Sequence, residues 1–133
     1  MTRTRAVDRS KSTDYLKRAE ECKNSMHRSF DAREWNAAVI NAVHCAIAVA
    51  DAFCIWKTGI RHAGERHDDA VRLFSQTDPQ DADIGNASKH LQELLDIKSN
   101  AEYGENLMKE KDAILAKKHA ERLFSFVKIR ILK

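Results

Sequence analysis

The stretch Trp35-Asn36-Ala37-Ala38-Val39-Ile40-Asn41-Ala42-Val43-His44-Cys45-Ala46-Ile47-Ala48-Val49-Ala50-Asp51-Ala52-Phe53-Cys54 decides the fold. Its residues Trp35, Ala38, Val39, Ala42, Val43, Ala46, Ile47, Ala50, Phe53 and Cys54 recur in steps of three and four, the period of one helix face. Ala37, Ala48 and Ala52 leave little bulk elsewhere around the cylinder, so other helices can approach on more than one side. This segment is therefore expected at the centre of the molecule. Asp31 with Glu34 three residues on resembles a capping box that would open it, and Gly59 is expected to stop it.

Working outward, Thr13 and Asp14 make a helix start, after which Tyr15, Leu16, Ala19, Cys22, Met26 and Phe30 keep helical spacing. Beyond Gly59 a polar connector runs through Arg61, His62, Gly64, Arg66 and His67. A short helix follows from about His67 or Asp68, with Ala70, Val71, Leu73 and Phe74 inward, and Thr77-Asp78-Pro79 breaks it. Ile84, Ala87, Leu91, Leu94 and Leu95 mark a further helix ending between Lys98 and Gly104. A last one is expected from about Glu105 to Ile131, with Ala113, Ile114, Ala116, Ala120, Leu123, Phe124, Val127 and Ile131 inward. No alternation of period two reaches useful length. The expected fold is all-α, an antiparallel up-and-down bundle of four long helices plus one short helix, over residues 13–132. Residues 1–12 are expected to form a basic, disordered tail.

Charged residues are 32% of the chain and hydrophobic ones 43%, a balance that excludes disorder and allows one continuous core in 133 residues. The net charge of +3 is too small to mark a committed nucleic-acid binder. Cys22, Cys45 and Cys54 are odd in number and lack Cys-x-x-Cys spacing, so buried thiols in a reducing cytoplasm are expected, without disulfide or metal. No membrane span is expected, since no uninterrupted run of about 18 apolar residues occurs. Glu-x-x-His pairs, a His-Glu-x-x-His helix, a phosphate-binding loop and a Gly-x-Ser-x-Gly elbow are all absent. No cofactor is implied.

An alanine-rich second helix, a glycine-flanked connector, a leucine-rich helix ending Lys98-Ser99-Asn100-Ala101-Glu102-Tyr103, and a last segment beginning Leu107-Met108-Lys109-Glu110-Lys111-Asp112-Ala113 together resemble the HEPN domains, over about residues 13–132. The resemblance implies a helical bundle that pairs as a homodimer, and in many members a metal-independent ribonuclease of toxin-antitoxin or antiviral systems. There an arginine would hold the scissile phosphate, and a histidine four to six residues later would move a proton. Those positions fall on Lys98 and Tyr103 here. Lysine keeps a point charge without the bidentate fork, and a tyrosine of ordinary pKa near 10 stays protonated at pH 7. The expected function is thus a non-catalytic or weakly active cytoplasmic binding module for nucleotide, RNA or a partner protein. Its cleft would hold Lys98 and Tyr103, joined by Arg61 and His67 if the connector folds beside Lys98.

Two alternatives stay open: a ribonuclease with a variant site, in which His67 or His90 supplies the proton carrier, and a regulatory subunit for a nucleotidyltransferase. A purely structural reading also stands, with the Tyr103 ring buried and Lys98 solvated beside Asp96 or Glu102. Arg61 and His67 satisfy the nuclease spacing formally, but chance also accounts for it.

Overall fold

The computed structural model describes residues 3–132 and contains five helices: α1 (Ser12–Asp31), α2 (Trp35–Thr58), α3 (His67–Gln76), α4 (Ile84–Tyr103) and α5 (Glu110–Ile131). They form the expected antiparallel bundle, four long helices and one short. Helix α2 is the core helix: Val39, Ala42, Val43, Cys45, Ala46, Val49, Ala52, Phe53 and Ile55 have no exposed surface. By length and composition alone, with a mean hydropathy of 1.9 over 18 residues, it is apolar enough to cross a membrane, as the buried core helix of a bundle also is. Within the bundle 72% of that stretch is buried, because α1, α5 and α4 pack around it.

Phe53 of α2 meets Phe74 of α3 and Phe126 of α5 at ring-centroid distances of 5.3 and 5.5 Å, so one aromatic cluster closes three helices. Edge and tilted contacts of this kind add to the area they bury. One turn further along α5, Arg130 donates to both carboxylate oxygens of Asp81, at 2.6 and 3.1 Å, tying α5 to the loop between α3 and α4. That hydrogen bond is the main cause holding the Asp81 carboxyl below its usual range.

Several boundaries differ from expectation. Asp31 is the last residue of α1 and caps nothing. The α1–α2 turn is closed instead by Arg33 in the left-handed region (φ 61°) and by backbone bonds from Ala32, Arg33 and Glu34 to Arg28, Phe30 and Ser29. Helix α1 starts at Ser12, not at a Thr13 cap. Helix α5 starts at Glu110 rather than Glu105, because Asn36 accepts from the Met108 N–H (3.2 Å) while donating to the Ala101 carbonyl (3.0 Å), which holds residues 104–109 as a connector against α2. The Lys109 N–H then donates to Asp112 at 2.8 Å and opens α5. Ile114, expected inward, is 49% exposed.

Within the stretch expected as a disordered tail, residues 4–6 and 9–11 form regular structure instead, and Met1 and Thr2 lie outside the described residues. Strand β1 (Thr4–Ala6) pairs antiparallel with β2 (Ile60–His62), Arg5 opposite Arg61, and a 3-10 turn at Arg9–Lys11 leads into α1. Gly59, at φ 74°, caps α2 and turns the chain into β2, while its carbonyl accepts from the Val7 N–H at 2.9 Å.

Candidate functional site

Arg61, His62 and His67, close in sequence, meet Lys98, more than thirty positions on, beside α2. Strand β2, held by its pairing with β1, presents Arg61 and His62; the start of α3 presents His67; and α4 presents Lys98. They line a cavity of about 480 Å³ whose apolar wall includes Ile47 and Ala50 of α2 and Leu91 and Leu95 of α4. Leu91, Leu95 and Lys98 follow at i, i+4 and i+7, so one face of α4 supplies both apolar wall and cation. Arg61, His67 and Lys98 are thus brought together as the sequence allowed.

Tyr103 is not part of this cavity. Five residues along a helix turn the side chain by about 140°, so Lys98 and Tyr103 leave α4 in different directions. Tyr103 is 84% exposed, which removes both a shared cleft within one chain and the buried-ring alternative. The intervening Glu102 meets His44 of α2 at 3.4 Å. His90 is also elsewhere: its Nδ1 lies 2.8 Å from that of His119 on the α4–α5 seam.

Asp51 of α2 is the site residue that sequence reasoning missed. The available signal was its isolation, since it is the one Asp, Glu, Lys or Arg between Trp35 and Trp56. Burial pushes its carboxyl up to about 7, against the opposing pull of Arg61 and Arg18. Among the described residues Asp51 makes no ion pair within 4 Å and no side-chain hydrogen bond. Two neighbouring atoms share that condition: Arg61 Nε and His62 Nε2 are buried without a partner. Arg61 Nη1 is engaged, donating to the His62 carbonyl at 3.0 Å. Burial, together with His67 and Arg61, lowers the His62 imidazole, while Asp69 raises it.

Buried polar atoms left unpaired by folding cost free energy, about 1–3 kcal/mol each, unless something else satisfies them. Here they border a cavity rather than packed side chains. The arrangement suits an oxyanion: the cations Arg61 and Lys98 and the imidazoles of His62 and His67 share the lining with two carboxyls, Glu65 and an Asp51 that burial holds near half-protonation at neutral pH. Metal chemistry has no comparable support, since no group of three His, Cys, Asp or Glu side chains converges among the described residues. Burial pushes Cys45 up to about 12 and raises Cys54, which suits inert core thiols.

Compared with known proteins, residues 12–130 match the family profile of the HEPN domain. No curated protein matches the chain.

Proposed function

Since the chain belongs to the HEPN family, whose profile covers residues 12–130, we propose that it is a binding module for a phosphate-bearing ligand, nucleotide or RNA, held in the cavity of Arg61, His62, His67 and Lys98. The observation that carries this reading is the pair of buried, unpartnered atoms Arg61 Nε and His62 Nε2 beside the Lys98 ammonium. An anion entering the cavity supplies an acceptor for Arg61 Nε, and for His62 Nε2 when that nitrogen carries the proton. Binding is favoured over cleavage because Tyr103, at the position of the family's proton carrier, is 84% exposed and away from Lys98. The ribonuclease alternative keeps one supporting observation, a carboxyl near pKa 7 beside two cations, which is the range of a general base.

Homodimer formation is part of the proposal. Tyr103, Leu107, Ile114 and Leu115 are large, apolar or aromatic, and 49–84% exposed on the α4–α5 side, a surface that a second copy would cover. Sedimentation as a dimer supports this, and a concentration-independent monomer removes it.

Retention of labelled RNA and of mononucleotides over a salt series tests the binding reading. Lys98→Ala and Arg61→Ala should each weaken retention about tenfold at low salt and flatten the salt slope by about one contact. Retention unchanged in both variants rejects the site. Cleavage by wild type that disappears in Asp51→Asn would move the conclusion to the ribonuclease.

A further inference from the structure

The cavity cations account for an anion but leave Asp51 unexplained. An ionised carboxylate is acceptor-only, so facing a bare oxyanion it would set acceptor against acceptor and charge against like charge. A ligand that pairs these groups must bring an acceptor for Arg61 Nε, an acceptor for His62 Nε2 when that nitrogen carries the proton and, close by, a donor for the half-buried Asp51 carboxyl.

We propose, resting on the anion-binding reading above, that Asp51 recognises a sugar hydroxyl beside the ligand's phosphate, so that the site takes ribophosphates and discriminates against their 2-deoxy counterparts. A ribose places hydroxyl donors a few bonds from its phosphate ester, and the 2′-hydroxyl is the donor that DNA lacks. The cavity, about 480 Å³, has room for more than a tetrahedral anion, and its wall of Ile47, Leu91 and Leu95 suits the less polar part of a nucleoside. A site built to hydrogen-bond a hydroxyl rejects an analogue without one, because its own buried acceptor is then unpaired.

The acceptor role has a pH signature. The groups facing Asp51 are Arg61 and His62 from β2, Glu65 from the connector, His67 from α3, Lys98 from α4 and the Cys54 thiol one turn along α2, with Arg18 of α1 acting at longer range. Asp51 is protonated well below pH 7 and charged above it. Charge-assisted acceptance from a hydroxyl therefore strengthens as pH rises through about 7, and the ribose preference rises with it.

Isothermal titration of the full chain with ribose 5-phosphate and 2-deoxyribose 5-phosphate at pH 6 and pH 8 tests this directly. A second pair, a short oligoadenylate and its deoxy counterpart, separates a mononucleotide-type ligand from an RNA chain by which pair binds more tightly. At pH 8 the wild type should favour the ribo member of the tighter pair by about tenfold or more. The preference should shrink at pH 6, vanish in Asp51→Ala, and become insensitive to pH in Asp51→Asn, whose amide keeps an acceptor but does not titrate. Equal binding of ribo and deoxy ligands by wild type at pH 8 overturns the inference, and that comparison needs no variant. If both still weaken in Lys98→Ala, the anion site survives and only the hydroxyl role of Asp51 is lost. If no probe binds at all, both readings fall together.

Discussion

Phe53 and Asp51 stand two residues apart on the same helix, and the regions they enter are built on opposite principles. Phe53 is fully buried against the rings of Phe74 and Phe126, in an aromatic cluster that the Arg130 guanidinium covers from the Phe126 side. Asp51 opens on a cavity bordered by Arg61, His62 and Lys98, where polar atoms remain unpaired. One side of α2 holds the bundle together while the other gives up some of that stability to a cavity with an apolar wall and a charged rim. A bundle of this size tolerates the second because the first is closed.

Truncation on the closed side should have the largest effect. Phe53→Ala is expected to destabilise by about 3–5 kcal/mol, since three helices lose a shared neighbour and the hole cannot be filled by small shifts; chemical denaturation measures it. A loss well under 1 kcal/mol would mean the cluster is looser than its ring distances imply.

On the open side the sign reverses. The Asp51 pKa of about 7 lies above its unfolded value near 3.8, so its protonated form adds stability that is fully present below pH 3.8 and lost as pH rises through 7. At pH 8 ionised Asp51 costs at most about 4 kcal/mol. Asp51→Asn should raise the melting temperature relative to wild type at pH 8 by more than at pH 5. A difference that does not change with pH would show that the carboxyl is solvated, and the contrast between the two sides would weaken.

Gly59 joins the regions, as the end of α2 and the start of the strand that carries Arg61. Gly59→Ala places a Cβ at φ 74° and should cost about 1–2 kcal/mol. Steric contact is not the cause, because the nearest atom to that Cβ would be Arg9 Nε at 3.6 Å. The smallest stability effect is expected at Lys98: alanine there should change stability by no more than about 0.5 kcal/mol while anion binding falls, whereas Tyr103→Phe should change neither. Loss of binding in Tyr103→Phe would argue for a site completed by a second chain.

Much of the bundle was legible because helix-forming physics is local. The stripe from Trp35 to Cys54, the stop at Gly59 and the break at Pro79 each act within a few residues, and the structure follows all three. Boundaries set by distant partners were not legible. The start of α5 depends on Asn36, 72 residues before Met108, and the order of the N-terminal segment depends on a three-residue strand finding Ile60–His62. Neither segment has a hydrophobic period that would announce it.

The site divides along the same line. Lys98, Arg61 and His67 could be named as candidates from residue type and position, but only the folded chain brings them to one cavity and turns Tyr103 out of it. Asp51 was hidden for the opposite reason: a single acid in an apolar helix carries no spacing motif, and its role depends on what faces it. By itself the sequence determined which segments are helical, that α2 is central, and which family the chain resembles, because periodicity and chain punctuation are properties of neighbours. The cavity, its unpaired polar atoms and the raised Asp51 carboxyl were decided by tertiary structure alone, because burial and electrostatic partnership exist only between segments that the chain brings together.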